Sequence, residues 1–353
     1  MGVYLVTCTS SMLFAWFWDK FRRKDNKLQF TLSIILSALP CIIIAGFRYG
    51  IGSDYFSYEY NFLIESSTKD PLYYSVFNPV VQFFGGDFST SVFIVSAIVF
   101  LLTYARIFDD SPYPWLSVFL LFGMTFFFAS MNAMRQFLAL SILFCAIKSL
   151  EQKQNIRFFI FVTIASGIHL SSSIFVALYF LYKIKLDARI VVILTPVIFA
   201  GIYLLKNDFV LLAMSLNTYS NFIESDVING TSVIIQSLWQ LVLVVIGGLV
   251  YKNNDMDEKN NKYRIYLCAQ LIALWEYALA SVINPNEIMR IIWVFSYSSI
   301  IFTPMVIYRL PSKLIKIVAI FATILGFSIF CYYVIGVNNS HEVLPYNSIF
   351  DVD

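Results

Sequence analysis

The sequence predicts an all-α, polytopic integral membrane protein, and three observations carry this prediction. Of the 353 residues, 59% are hydrophobic and only 13% are charged, whereas a soluble domain carries about 25% charged residues. Apolar runs recur from end to end, and many approach the roughly 20 residues that a helix needs to cross a bilayer. No polar block of domain size separates them, which predicts a single membrane domain over residues 1–353 and argues against a soluble or nucleic-acid-binding protein.

The apolar runs predict about 11 or 12 transmembrane helices. The first run has no basic residues ahead of it, which predicts an uncleaved first helix with its N-terminus outside. The candidate spans are residues 2–18, 29–46, 88–105, 114–132, 134–149, 157–168, 171–182, 190–205, 233–251, 265–283, 291–308 and 317–336.

Two of these runs, 157–168 and 171–182, are too short to cross a bilayer alone, at about 12 residues each. The link between the spans that meet near residues 132–134 is also tight. We therefore expect short or broken helices around residues 130–182, because non-helical backbone is tolerated at membrane depth where it is buried or lines a cavity.

The basic residues predict the topology. With both termini outside, 19 of the 24 Lys and Arg residues lie in cytoplasmic loops and 5 lie on the outer side, which is a strong positive-inside bias. A single span over 157–182 would exchange the sides of every later loop and weaken this bias. The two larger outer loops, residues 47–87 and 206–232, contain partly amphipathic stretches that predict interfacial or re-entrant helices.

Three arginines break the positive-inside pattern, because Arg48, Arg135 and Arg290 each lie at the outer end of an apolar helix. One interpretation is snorkelling, in which the long side chain reaches lipid headgroups. The other is a phosphate site, since the planar guanidinium donates two parallel hydrogen bonds to phosphate and keeps its charge. The use of Arg at all three positions favours the second interpretation.

Residue counting places Arg135 and His169 at the same depth. Arg135 precedes Lys148 by 13 residues and His169 follows Arg157 by 12, so both lie roughly 18–20 Å above the cytoplasmic edge at 1.5 Å per residue. His169 is one of only two histidines and lies in SGIHLSSS, a sequence that favours a helix break. It is either a hydrogen-bonded core histidine or a group for binding or proton transfer.

Three acidic residues are further candidates. Asp54 lies in a glycine-rich outer loop before several tyrosines, where it caps a helix or serves the site. Glu276 lies inside a predicted span, where it would pair with a buried arginine or take part in a proton path. Glu287 and Arg290 are three residues apart, so they share a face of a helix.

No motif indicates nucleotide or metal chemistry. The chain has no Walker motif, dinucleotide fingerprint or GxSxG, and its five cysteines lie in apolar runs without metal-ligand spacing. We therefore expect no cofactor and no metal, and any substrate has to arrive already activated.

Five segments, taken in order, resemble the EpsG-type family of Wzy-like polysaccharide polymerases. FRYGIGSDYFSYEYNF is similar to the family's R-x-G-x-G-T/S-D-Y-x-x-Y signature, AMRQFLALSILF to its x-R-Q-x-L-A helix, and ASGIHLSSSIF to its histidine segment. NEIMRIIWVF resembles the late arginine-bearing helix, and LPYNSIF the Pro-Tyr tail. The chain departs from the family at Asp70-Pro71, where Glu-Pro is frequent, and the context of Arg290 fits loosely.

The resemblance implies a polymerase for O-antigen, capsule or exopolysaccharide repeat units at the outer face of the bacterial inner membrane. Such enzymes transfer a glycan chain from undecaprenyl diphosphate onto a sugar hydroxyl of a new lipid-linked repeat unit. The implied partners are this lipid-linked oligosaccharide, the bilayer and a chain-length regulator. Together with the residue analysis above, this gives as candidate catalytic residues Arg48, Asp54, Arg135, His169 and Arg290. The candidate substrate-binding residues are Gly50, Gly52, Tyr55, Tyr58, Gln136, Glu276 and Glu287.

The residues agree with this chemistry but leave several points open. Arginines at the membrane edge would stabilise the charge that develops on a departing diphosphate, and His169 or Asp54 would accept the proton of the acceptor hydroxyl. Asp54 could instead orient Arg48. An O-antigen ligase, a lipid-linked oligosaccharide flippase and a membrane acyltransferase are the alternatives. A ligase usually has a larger outer domain, a flippase has charges at several depths, and an acyltransferase has an acid near its histidine.

Overall fold

A computed structural model describes residues 1–21, 26–64, 70–184, 230–251, 258–280 and 285–351, together with residues 195, 200, 201 and 204. Every regular element within these ranges is helical, and their β-type pairing is confined to an isolated bridge between Arg48 and Ser348. The predicted all-α fold is therefore confirmed.

The described α-helices are numbered here in chain order. They are α1 Gly2–Phe21, α2 Lys27–Gly46, α3 Tyr55–Ile64, α4 Asn78–Phe83, α5 Phe88–Asp110, α6 Pro114–Gly123, α7 Phe126–Asn132, α8 Met134–Glu151, α9 Asn155–Ile168, α10 Val176–Lys183, α11 Gly230–Leu249, α12 Glu258–Ala280, α13 Pro285–Ser296, α14 Ser299–Arg309 and α15 Lys313–Cys331. Leu72–Phe77 and Tyr332–Val337 are π-helical, and Leu170–Phe175 forms a 3₁₀ helix.

Four helical segments of the described chain are long and apolar enough to cross a membrane, and a bent pair of helices adds a fifth. The four are Lys27–Gly46, Phe88–Asp110, Arg290–Arg309 and Lys313–Val337. The protein is therefore a multi-pass membrane protein, as the sequence predicts. The total of about 11 or 12 spans stays a prediction, because the candidate span 190–205 lies almost wholly outside the described residues.

The helix breaks occur largely where they were predicted. α9 ends at Ile168, and the 3₁₀ helix and α10 follow, which confirms two short helical pieces in place of one span. The candidate span 114–132 is not one straight helix, because α6 and α7 meet at an angle of 56°, as in a broken span or a re-entrant loop. Thr125 between them has a φ of 65°, a left-handed conformation that interrupts the helix.

The loop 47–87, which the sequence places on the outer side, contains the predicted helices. They are α3, the π-helical turn after Pro71, and α4. Their outward faces are apolar, with Phe83 and Phe84 more than 80% exposed, which fits helices that lie at a lipid interface. The other outer loop, 206–232, lies outside the described residues except for the start of α11.

The chain packs as two compact units. The first consists of Met1–Ser149, Gln154–Ser173 and Pro311–Asp353, and the second of Leu150–Lys153 and Ile174–Leu310. In the second unit a buried polar chain joins three helices, since Gln240 donates to Gln270 and Gln270 donates to Ser298.

The C-terminal tail, residues 338–351, folds back onto the segment that follows α2. Ile349 N–H donates to the carbonyl of Phe47 at 2.9 Å, and Tyr49 N–H donates to the carbonyl of Asn347 at 3.0 Å. The hydroxyl of Tyr4, in α1, also donates to the tail and lies 2.7 Å from the carbonyl oxygen of Val343. Both ends of the first unit therefore lie beside residues 44–52.

Candidate functional site

A single carboxylate joins Arg135 to His169. Oδ2 of Asp70 lies 2.5 Å from Nη1 of Arg135 and 3.4 Å from Nδ1 of His169. Oδ1 of the same side chain accepts the backbone N–H of Leu170 at 3.1 Å. The prediction that Arg135 and His169 share one level is therefore confirmed, since both reach the same oxygen atom.

Two aromatic rings flank the guanidinium of Arg135. Its central carbon lies 4.8 Å from the ring centre of Tyr74 and 5.2 Å from that of Tyr58. Such cation–π contacts stabilise a cation and hold its orientation. The two tyrosines are buried, whereas the side chains of Arg135 and His169 are 20% and 17% exposed. The protein thus holds the cluster in place, and the side chains of Arg135 and His169 stay partly accessible.

The break between α7 and α8 sets the position of Arg135. Ala133 is not helical, so Arg135 lies in the first turn of α8. Asn132, just before the break, accepts hydrogen bonds from the hydroxyl of Ser53 at 3.0 Å and from the backbone N–H of Asp54 at 3.1 Å. The glycine-rich outer loop is thereby attached to the helix break that carries Arg135.

Gly52 permits this attachment. Its φ is +94°, and a Cβ at this position would lie 3.0 Å from Cα of Asn132. A side chain would therefore be strained in conformation and crowded against backbone. Gly50 also has a positive φ, of +60°. Both candidate glycines are therefore needed for the backbone conformation of this loop, and neither is assigned a contact with a substrate.

A second close approach brings Asp70 to His169. The π-helical turn packs against α9, and a Cβ on Gly167 would lie 2.6 Å from Cδ1 of Leu72. His169 follows α9 in an extended conformation, which turns its side chain out of the helical path. Because Leu72 lies two residues after Asp70, the absence of a side chain at Gly167 lets the carboxylate reach the histidine.

Asp70 itself has an unusual backbone conformation. Its φ is +55°, and its carbonyl accepts the N–H groups of Tyr73 and Tyr74, at 3.1 and 3.2 Å. Asp tolerates the left-handed region better than most residues, yet the conformation is still costly and concentrates at functional sites.

Asp70 remains ionised despite its burial. Burial raises the pKa of a carboxyl group, but the hydrogen bond from His169 and the charge of Arg135 outweigh this effect, so the pKa of Asp70 lies below its ordinary value. The cluster therefore contains a carboxylate at neutral pH, shared by a cation and an imidazole.

Arg48 is in a different environment. It is 1% exposed and donates hydrogen bonds to the carbonyl of Ala45, to the hydroxyl of Ser96 at 3.5 Å and to the carbonyl of Met131 at 3.0 Å. Burial lowers the pKa of Arg48 to about 10, so it stays charged at neutral pH. Its contacts join the segment after α2 to α5 and α7.

The remaining candidates of loop 47–87 and of α8 are mostly buried. Asp54 directly precedes α3, and its carbonyl accepts the N–H of Tyr58 at 3.0 Å, as expected of a residue that caps a helix. Tyr55 and Gln136 are 1% and 2% exposed. The exposed rings of this segment are those of Phe56 and Tyr60, at 57% and 63%.

The late candidates belong to the second unit. Arg290 is exposed on α13, and the side chain of Glu287 lies outside the described residues. Glu276 on α12 is 5% exposed, and neither of its carboxylate oxygens has a hydrogen-bond partner among the described residues. The expected pairing of Glu276 with a buried arginine is therefore not seen in this part of the chain.

Sequence reasoning missed Asp70 and Tyr74 as site residues. The signal for Asp70 was present in the Asp70-Pro71 pair, which resembles the family's Glu-Pro but was recognised only as a departure from it. Tyr74 had no signal of its own among the many aromatic residues of the loop.

Comparison with protein-family profiles matches residues 30–348 to the EpsG family. Comparisons with curated proteins and with solved structures found no match. The matched segment begins in α2, ends in the C-terminal tail and includes Asp70, Arg135 and His169. Because the match covers nearly the whole chain, this protein belongs to the EpsG family.

Proposed function

We propose that the protein is a polysaccharide polymerase at the outer face of the bacterial inner membrane. It would transfer a glycan chain from undecaprenyl diphosphate onto a sugar hydroxyl of a second lipid-linked repeat unit. The EpsG family suggests a polysaccharide polymerase-like function. The observation that carries the proposal is the meeting of a cation, a carboxylate and an imidazole at Asp70, with Arg135 and His169 partly exposed.

Each group has a role in this transfer. The acceptor oxygen bonds to the anomeric carbon of the donor sugar while the bond from that carbon to the diphosphate oxygen breaks, and the bonding electrons leave with the diphosphate. Arg135 stabilises the charge that develops on this leaving group. His169 accepts the proton of the acceptor hydroxyl. The products are the lengthened lipid-linked glycan and undecaprenyl diphosphate.

Arg48 would support this site from the interior. Its Nη1 and Nη2 groups already donate to carbonyl and hydroxyl oxygens of the protein, and the side chain is buried. We therefore assign Arg135 to the diphosphate and give Arg48 the role of holding the outer layer together. Arg290 stays a further candidate for the diphosphate, and Asp54 stays a candidate for orienting the acceptor.

The test is polymerisation by the purified protein. The protein in lipid nanodiscs receives a synthetic undecaprenyl-diphosphate repeat unit, without nucleotide and with EDTA. A ladder of products on a gel, lost in both Arg135→Ala and His169→Ala, is the expected result. Arg157→Ala is the matched control, because Arg157 is exposed at the start of α9 and outside the cluster.

Three results would overturn the proposal. Movement of the intact lipid-linked unit across liposomes, without a ladder, would indicate a flippase. Transfer to a lipid A acceptor instead of a second repeat unit would indicate a ligase. A ladder that both cluster variants retain would remove Arg135 and His169 from the reaction.

A further inference from the structure

The carboxylate of Asp70 is held at both of its oxygen atoms. Oδ1 accepts the N–H of Leu170, and Oδ2 faces both Arg135 and His169. Its side chain is 8% exposed. The carbonyl of Asp70 also accepts the N–H groups of Tyr73 and Tyr74 at the start of the π-helical turn, so five separate contacts hold this residue in place.

The geometry around His169 distinguishes its two ring nitrogens. Nδ1 faces Oδ2 of Asp70 at 3.4 Å. An ionised carboxylate accepts hydrogen bonds and cannot donate one. A neutral imidazole beside it therefore carries its proton on Nδ1, which leaves the lone pair on Nε2.

We propose that Asp70 is a positioning residue that fixes His169 in the tautomer with a free Nε2, so that Nε2 is the base that accepts the proton of the acceptor hydroxyl. The role in the reaction rests on the proposed function, whereas the pairing of Asp70 with His169 does not. Asp70 also stabilises the imidazolium that forms when Nε2 takes the proton, as a carboxylate beside a catalytic histidine does in general.

The electrostatic surroundings of His169 come from few groups. In the described part of the chain, Asp70 is the acid that faces the imidazole, and Arg135 lies on the other side of the same carboxylate. Tyr58 and Tyr74 flank Arg135. Removing the charge of Asp70 therefore leaves His169 near Arg135 alone, and its pKa has to fall.

The chain offers a direct measurement of this effect, because it has only two histidines. Full-length protein with ¹⁵N-labelled histidine is prepared in nanodiscs, and His341→Gln identifies the signal of His169. The tautomer and the pKa of His169 are then read by NMR in the parent, in Asp70→Asn and in Asp70→Glu. Asp87→Asn is the matched control, since Asp87 is an exposed cap at the start of α5 and Asn caps helices as well.

The expected result has two parts. In the parent, the proton of neutral His169 resides on Nδ1. In Asp70→Asn the pKa of His169 falls by about one unit or more, while Asp70→Glu keeps most of the parent value and Asp87→Asn keeps all of it. Equal pKa values in the parent and in Asp70→Asn, or a proton on Nε2 in the parent, would overturn the proposal.

Kinetics test the role in the reaction separately. Asp70→Asn is expected to lower kcat by about 10²–10⁴-fold, with a smaller change in KM and with the acid limb of the pH profile moved to lower pH. Asp70→Glu is expected to recover part of kcat. An NMR shift with unchanged kcat would overturn the positioning role. A parent without polymerase activity would instead refute the proposed function and leave the NMR result to judge the pairing.

A failure of Asp70→Asn to fold does not remove the test. Size-exclusion profiles and thermal unfolding of each variant identify the folded samples. The tautomer of His169 in the parent then carries the test, because it needs no variant at Asp70. A neutral His169 with its proton on Nε2 would contradict the proposal.

Discussion

Nδ1 of His169 lies 3.4 Å from Oδ2 of Asp70, although 99 residues separate them in the chain. Arg135 reaches the same oxygen from a third segment. The cluster thus depends on three parts of the first unit: the outer loop, the start of α8 and the break after α9. Each of the following predictions perturbs one of these parts.

Replacement of Arg135 by lysine tests the need for a guanidinium. Arg135→Lys keeps the positive charge but loses the planar pair of donors that suits a diphosphate. We expect kcat to fall by about 10²–10³-fold, the loss that follows removal of one preorganised donor to a developing anion, while the protein still inserts and folds. Polymerase kinetics on monodisperse protein measure this effect. Arg157→Lys is the control, and full activity of Arg135→Lys would refute bidentate binding.

The pKa of Asp70 predicts how stability depends on pH. Because the pKa of this carboxyl is lower in the folded protein than in the unfolded chain, its stabilising contribution is complete above the unfolded pKa of about 3.9 and is lost as the pH falls through the folded pKa. The difference in thermal stability between the parent and Asp70→Asn should persist at neutral pH and disappear in strong acid, where Asp70 is protonated. A difference that stays unchanged in strong acid would contradict this.

The activity profile follows from the same cluster. Asp70 stays ionised over the neutral range, so the loss of activity on the acid side reports His169. A base has to be neutral to accept a proton, so kcat should rise with pH through the pKa of His169. If His169 served as a cation for the diphosphate, kcat would instead fall with rising pH. Measurement of kcat from about pH 5 to pH 9 distinguishes the two.

Replacement of Arg48 should affect the stability of the protein more than its catalysis. Arg48→Gln removes a buried charge that donates to the carbonyls of Ala45 and Met131. Hydrogen bonds to charged groups contribute about 1.5–3 kcal/mol each, so we expect a loss of about 2–4 kcal/mol in the free energy of unfolding. Thermal and denaturant unfolding in detergent measure it, with Arg157→Gln as the exposed control. Unchanged stability combined with lost activity would place Arg48 at the diphosphate.

Gly167 should be needed for its lack of a side chain. Gly167→Ala would place a Cβ about 2.6 Å from Cδ1 of Leu72 and so displace the turn that begins at Asp70. We expect activity to fall by about tenfold or more, because small misplacements of catalytic groups are costly. Leu72→Ala in the same chain makes room and should restore much of the activity. Gly326→Ala, where nothing lies within 4 Å, is the control, and an additive double variant would contradict the steric explanation.

The sequence was informative where local periodicity carries the information. Helical rise converts residue number into depth, and this was sufficient to place Arg135 and His169 together. The break at Thr125 was missed, because hydropathy is continuous through residues 114–132 and a left-handed φ leaves no apolar signal. Asp70 was missed for a related reason, since a loop residue has no periodicity from which its spatial neighbours can be calculated.

The contacts of the C-terminal tail could not be predicted from local sequence patterns either. Residues 338–351 pair with residues 44–52 across most of the chain. Nothing in LPYNSIF specifies a partner, because any extended segment can form such backbone hydrogen bonds. The resemblance to a family tail marked this segment as characteristic, but only the structure connects it to the segment that carries Arg48.

This connection has a consequence for biosynthesis. The backbone carbonyl of Phe47 is synthesised long before its hydrogen-bond donor, Ile349. The layer around Arg48 is therefore completed only after residue 349 has been added. A chain cut at the start of the tail, at residue 338, would keep α15 and still lack this closure. Such a chain should be a substrate for membrane quality-control proteases, so late truncations should behave as null alleles.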